Sequence, residues 1–433
     1  MSLQSAYKKL LSSKLFKDSF WAVFGNGLGN VFLLIAGIII ARLLGKDVYG
    51  EYGMIKTTMF YLAAFATFGL GTTSTKYIAR FKTEESEWLR SITLSVLSIT
   101  SVFSGFLCVL LFFFSKPLAE YLNAPNLSVA FEFLGIIVVL RALSLSCAGM
   151  LAGFKSFKRL GTNNILAGVI MLAACYPLTK TMGVYGALLA LLISQLLICF
   201  LNMKTVFGQI RHLKGQVKKS FSKELLSFSF PIALQDLSYT LCHWVFLLIL
   251  TRYSTYGEVG LYTVASQWNS IVLFIPHLLI NVILSYLSSS TSKKEQGNVI
   301  NKMVLVNFVC SALPFLVVFV FSGIIASFYG STFSSLAPVM NIYIFSTIFM
   351  CVAQVYSSNL ISEGKNWRLF FYRMVRDVLA IVVFYIIIRW KEGEKASLFL
   401  VSILLAAHAF YFLCLLVDYY IPSLKSRASK TKA

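Results

Sequence analysis

Apolar stretches long enough to cross a bilayer alternate along this chain with short polar segments. The stretches fall at roughly 19–42, 52–75, 89–114, 128–151, 162–180 and 183–203, then at roughly 226–250, 261–287, 299–321, 336–360, 372–390 and 396–420. Hydrocarbon about 30 Å thick needs about 20 apolar residues wound as a helix. The polar interruptions within the stretches are single residues, and a helix satisfies every backbone group inside its own segment. The pattern predicts an all-α integral membrane protein of about twelve transmembrane helices.

Composition agrees. Of 433 residues, 58% are hydrophobic and only 13% charged, with a mean hydropathy of +0.78. Soluble domains carry about a quarter charged residues, so much of this surface has no water to face. Cys108, Cys147, Cys175, Cys199, Cys242, Cys310, Cys351 and Cys414 all lie in apolar runs without a C-x-x-C pair, which reads as small buried hydrophobes rather than a disulfide or metal framework.

Lysine and arginine supply the orientation. With the N-terminus inside, the cytoplasmic segments hold 28 of the 38 basic residues and the outward loops eight, namely Arg42, Lys46, Lys116, Lys180, Arg252, Arg389, Lys391 and Lys395. Lys56 and Arg141 lie within spans. Both termini are therefore expected in the cytoplasm. Basic loops beside anionic headgroups account for the net charge of +21 without nucleic acid as a partner. Residues 1–18 read as an amphipathic segment on the inner surface, with Leu3, Tyr7, Leu10 and Leu11 on one helical face; a solvated basic tail is the other reading.

The chain repeats itself at a shift of 210 residues. Ser19-Phe20 falls on Ser229-Phe230, Asn26 on Asp236, Arg42 on Arg252, Gly50 on Gly260 and Tyr52 on Tyr262. Matches at Arg, Gly and Tyr in one short outward loop are harder to obtain by chance than apolar matches. Six helices per repeat make the halves parallel, and transporters of that design bind substrate between them. The expected organisation is an N-lobe at 19–203 (helices one to six), a basic cytoplasmic linker at 204–225, a C-lobe at 226–420 (helices seven to twelve) and a basic tail at 421–433, with the lobes around a central cavity.

Certain motifs sharpen this. Asn26-Gly27, Gly29 and Asn30 in the first helix lead into A-R-L-L-G at 41–45 and Y-G-E-Y at 49–52, followed by F-G-L-G-T-T-S-T-K-Y-I-A-R at 68–80. Gly153 to Leu160 and Gly364 to Leu369 form two similar helix connectors. The chain resembles the Wzx-type polysaccharide flippases of the MOP superfamily, to which the multidrug MATE exporters and the lipid II flippase also belong. The resemblance implies translocation of an undecaprenyl-diphosphate-linked oligosaccharide, such as an O-antigen unit of lipopolysaccharide, from the inner to the outer leaflet of a bacterial cytoplasmic membrane. It implies alternating access of two lobes, no cofactor, and coupling to a proton or sodium gradient or to membrane potential. Other polysaccharide-assembly proteins are possible partners.

Charge at membrane depth is expensive, so each instance is a candidate. Arg141, near the middle of the fourth span, has a donor fork suited to phosphate oxygens; a structural pair with Glu132 is the alternative. Lys56 could line the cavity or snorkel outwards. Arg42 and Arg252, the repeat-related pair at the outer helix ends, are candidates to bind the substrate; capping of the tight loop and anchoring at the interface is the other reading. Gln267, Ser270, His277 and Asn281 form a polar stripe on the eighth span, and Asp236 and His243 share a face of the seventh, where they could bind a coupling ion or hold helices together. Asn26 and Asn30 could meet sugar hydroxyls or act as helix glue. Two rival functions remain: a multidrug exporter of the same fold, and a glycan polymerase or ligase. An enzyme would need a sizeable outward domain, and the outward loops are short, with no nucleophile–base set, phosphate loop or metal cluster. The expectation is a transporter, not an enzyme.

Overall fold

The computed structural model of this protein describes residues 14–84, 88–122, 124–211, 221–277, 279, 283, 287 and 293–430. The described residues are almost entirely helical: α1 (Lys14–Ala66), α2 (Leu70–Glu84), α3 (Trp88–Tyr121), α4 (Ser128–Gly153), α5 (Phe157–Ile210), α6 (Phe221–Tyr253), α7 (Tyr256–Val272), α8 (Lys293–Tyr329), α9 (Leu336–Ser362), α10 (Asn366–Trp390) and α11 (Ala396–Lys430). Two of them are double spans. The apolar part of α1 runs 44 residues and α5 runs 54, each about twice the length a bilayer needs. Each bends at a glycine with a backbone that side chains disfavour: Gly45 at φ 73°, ψ 170° and Gly183 at φ 58°, ψ −133°. Counting each limb as a span gives about twelve crossings.

One sequence expectation is corrected. The second span, expected at 52–75, is broken: α1 ends at Ala66, Phe68 and Gly69 adopt φ 49° and 68°, and α2 restarts at Leu70. Over the eighth span, expected at 261–287, α7 ends at Val272, Leu273 keeps helical backbone at φ −74° and ψ −9°, and helix is described again at 274–277. Of the proposed surface segment at 1–18, residues 1–13 lie outside the described residues, and Lys14 onward is the first turn of α1.

By packing, the chain forms two compact units. The first contains residues up to Leu44 together with Glu51–Trp244; the second contains Gly45–Gly50 and Val245–Ala433. The first is cored by Ile78, Ile92, Met150, Leu151 and Val206, the second by Ile300, Val355, Leu369 and Leu415. By packing, the boundary between the units falls inside α6, between Trp244 and Val245. The early part of α6 is held in the first unit, where Ser229 Oγ donates to Thr73 Oγ1 at 2.8 Å and Trp244 Nε1 to Thr58 Oγ1 at 3.4 Å.

Lipid cannot drive helices together as water does, so close packing and hydrogen bonds must. In the first unit α1 and α5 meet through small residues: a Cβ on Gly25 would lie 2.3 Å from Gly161 Cα. Asn163 Nδ2 donates to Asn202 Oδ1 at 2.9 Å, and Asn202 Nδ2 to Ser144 Oγ at 3.1 Å. Gly25→Val is expected to force this crossing apart and to lower membrane abundance several-fold, consistent with about 1–3 kcal/mol for overpacking; immunoblots of membrane fractions against the parent test it. Outward faces are apolar, as on α8, where Leu313, Leu316, Val320, Ile324 and Phe328 are exposed. On α10, Trp367 and Trp390 are 79% and 78% exposed. They stand about 35 Å apart along the helix at 1.5 Å per residue, the spacing of aromatic belts at two membrane interfaces.

Candidate functional site

After the Gly45 bend, α1 presents Tyr52, Lys56 and Phe60 at intervals of four, on one face. Tyr52 is fully buried, and the Lys56 ammonium lies 5.7 Å from its ring centroid. One turn further on, the Arg141 guanidinium of α4 lies over Phe60, Cζ 4.9 Å from the ring centroid. The first unit therefore gathers both intramembrane cations expected from the sequence onto one aromatic ladder.

Arg141 is not paired with Glu132, whose Oε1 instead faces the Ser115 hydroxyl at 3.4 Å. Its Nε is buried with no acceptor among the described residues. A desolvated cation–π contact contributes about 2 kcal/mol. Insertion scales put Arg at the helix centre at about 2.5–3.5 kcal/mol unfavourable. Stacking on Phe60 thus leaves the charge under-compensated, with the Nε donor unsatisfied.

Below this pair the chain unwinds at Thr67, Phe68 and Gly69. Non-helical backbone at membrane depth persists only where protein buries it or water reaches it. Here the Phe68 ring stacks on Phe103 at 5.0 Å and approaches Phe230 at 6.2 Å, and Thr67 Oγ1 donates to Ala64 O at 2.7 Å. The restarting helix packs tightly on α4: a Cβ on Gly149 would lie 2.1 Å from Gly71 O, and Thr75 Oγ1 donates to Gly149 O at 2.8 Å.

The other candidates are dispersed. Arg42 is exposed just before the bend at Gly45, and Arg252 is half-buried in the last turn of α6. Asn26 accepts a hydrogen bond from Asn164 Nδ2, joining α1 to α5, while Asn30 is exposed. His243 is buried on α6. The side chain of Asp236 lies outside those described, as does Asn281. Of the expected stripe on the eighth span, Gln267 accepts from Tyr49 Oη at 3.5 Å, Ser270 donates back to Ser266 O at 2.9 Å and His277 is exposed.

Sequence reasoning missed one charged centre. In the second unit Arg376 and Asp377 of α10 are buried and joined by two hydrogen bonds, Nε to Oδ1 at 2.7 Å and Nη2 to Oδ2 at 3.0 Å. Arg376 Cζ lies 4.9 Å from the Tyr411 ring centroid, and Tyr411 Oη shares a 2.9 Å bond with Ser357 Oγ. Three helices converge there. Adjacent Arg376 and Asp377 at the start of the apolar run 372–390 were a visible signal.

A model of the family described as polysaccharide biosynthesis protein matches residues 15–289. The chain belongs to this family. Among curated relatives, a Shigella flexneri protein whose name assigns it to O-antigen transport is 21% identical over 81% of this chain and 86% of its own. The EPS I polysaccharide export inner membrane protein of Ralstonia nicotianae is 22% identical over 71% of this chain and 72% of its own. Among solved structures, an inward-facing multidrug-resistance MATE transporter of the MOP superfamily aligns with a TM-score of 0.78 at 14% identity, covering 92% of this chain and 96% of that one. The lipid II flippase in an inward-closed conformation aligns at 0.71 and 16%, covering 92% and 86%. This family member is thus a multi-pass membrane protein with a MATE-like fold of about twelve spans.

Proposed function

We propose that this protein is a flippase that moves an undecaprenyl-diphosphate-linked oligosaccharide from the inner to the outer leaflet of a bacterial cytoplasmic membrane by alternating access. The observation that carries the reading is Arg141: a cation near the middle of its span, without an acid partner among the described residues, on a ladder shared with Lys56, in a polysaccharide-biosynthesis family. A diphosphate brings the negative charge that two such cations lack. Arg supplies planar, paired donors and Lys a point charge. The sugar and phosphates would travel through a wet path while the polyprenyl tail stays in lipid, and no covalent bond is made or broken. Multidrug export is the second reading, on the MATE likeness of the fold; a cationic cargo would be repelled by Lys56 and Arg141. Coupling to a proton or sodium gradient or to membrane potential is proposed through the ionisable groups of α6, Asp236 and His243.

The direct test is purified protein in liposomes carrying the lipid-diphosphate oligosaccharide in one leaflet, with an impermeant glycosidase outside. The expected result is protein-dependent exposure of the glycan; exposure at the rate of protein-free vesicles would sink the reading. For orientation, single cysteines at Lys46, Lys180 and Glu394 in a Cys-free protein are expected to react with impermeant thiol reagents from outside. Those at Lys82, Lys218 and Ser429 should not, and reversal at two positions would overturn the placement of both termini in the cytoplasm.

A further inference from the structure

Residues 365–376 of the second unit hold four basic side chains, and three of them have an acid. Lys365 Nζ lies 2.6 Å from Glu363 Oε2, Arg368 pairs with Asp418, and Arg376 is joined to Asp377. Arg373 has no acid partner among the described residues. It is half-buried, on the face of α10 that carries buried Leu369, Arg376 and Ala380, opposite exposed Phe371, Val378 and Ile386. Its Nε donates to Tyr411 Oη at 3.4 Å. Tyr411 Oη shares its 2.9 Å bond with Ser357 Oγ, which donates to Ala353 O at 3.0 Å. A hydroxyl has one proton to give. With the Ser357 proton on Ala353 O, Tyr411 is the donor to Ser357, and its lone pairs are left to accept from Arg373. This chain of donors fixes Nε and with it the plane of the guanidinium, whose Nη1 and Nη2 remain for another acceptor.

We propose that Arg373 is a loading site for the substrate's diphosphate, gripping it at headgroup depth before Arg141 meets it at mid-membrane. The identity of the ligand rests on the flippase reading. Arg373 lies six residues from Trp367, about 9 Å along α10. Helical side chains lean toward the N-terminus, which returns the guanidinium towards the Trp367 interface. On the proposed orientation that interface is the cytoplasmic one, from which the glycan departs. A planar fork with Nε engaged presents two terminal nitrogens whose donors suit phosphate oxygens. Bulk phospholipid meets the opposite, apolar face of α10. The ligand that fits is a headgroup entering among the helices while its tail stays outside.

Its test is the binding of radiolabelled undecaprenyl diphosphate to the full chain in phosphatidylcholine nanodiscs. Arg373→Gln should weaken binding at least tenfold, and Arg373→Lys less, since charge survives without the fork. Tyr411→Phe keeps a ring beneath Arg376 and leaves Ser357 its bond to Ala353 O, but it removes the acceptor that orients Arg373. It should weaken binding about threefold at parental abundance, an effect that a merely structural tyrosine would not produce. Should Arg373→Gln fail to fold, Tyr411→Phe decides. Parental affinity in the folded variants would overturn the loading site and leave the flippase reading standing. If the parent itself does not bind the diphosphate, the reading and the site fall together. Unlabelled phosphatidylglycerol should displace the label at least tenfold less well than unlabelled undecaprenyl diphosphate; equal displacement would overturn the choice of ligand in favour of bulk phospholipid.

Discussion

Arg141→Ala is expected to leave the protein in the membrane at parental abundance while export of the polysaccharide falls by about ten- to a hundredfold. A hydrogen bond to a charged group contributes about 1.5–3 kcal/mol, and each 1.4 kcal/mol is tenfold. Stability should change little. The variant loses stacking of about 2 kcal/mol on Phe60 and is relieved of a similar cost of placing Arg at mid-membrane. Arg141→Lys should keep part of the activity, since charge survives while the planar fork is lost. Arg141→Gln should behave as Ala. A purely architectural Arg141 predicts the opposite pattern, with activity lost in proportion to protein lost. Export and membrane abundance measured together on the three variants separate the two, and full export by a stably inserted Arg141→Ala protein would remove Arg141 from the mechanism.

The helices were legible in the sequence because a span has one dominant signal, about 20 apolar residues, and the observed helices follow the apolar runs. The bends at Gly45 and Gly183 separate spans already distinguished by polar residues. The interruption inside an apolar run was not legible. Phe68-Gly69 costs no hydropathy, so a pattern built on hydropathy reads through it. Lys56 and Arg141 were legible as isolated charges, but not their convergence: that needs Phe60 between them, and long-range packing leaves no periodicity in a single chain.

The buried pair that sequence reasoning overlooked carries the largest expected effect on stability. Arg376 and Asp377 neutralise one another by two hydrogen bonds within a buried part of α10. Removing one member takes from the other its adjacent opposite charge, and breaking a buried pair costs about 3–5 kcal/mol. That is a large part of the stability of an ordinary domain. Asp377→Leu is therefore expected to lower membrane abundance more than tenfold, even though Arg376 keeps its position over Tyr411. Replacing both by apolar residues of similar volume removes the charge and its desolvation together, and such exchanges are often neutral or stabilising. Arg376→Met with Asp377→Leu should thus return abundance to the parental level, although each single substitution does not. The export rate of the double variant then assigns the pair. Parental export would make it a strut between α9, α10 and α11. Export lost in an abundant double variant would mean that the charges take part in the transport cycle. Parental abundance of Asp377→Leu alone would show that the carboxylate compensates no buried charge, and Arg376 would then have to be held by Tyr411 and its surroundings without it.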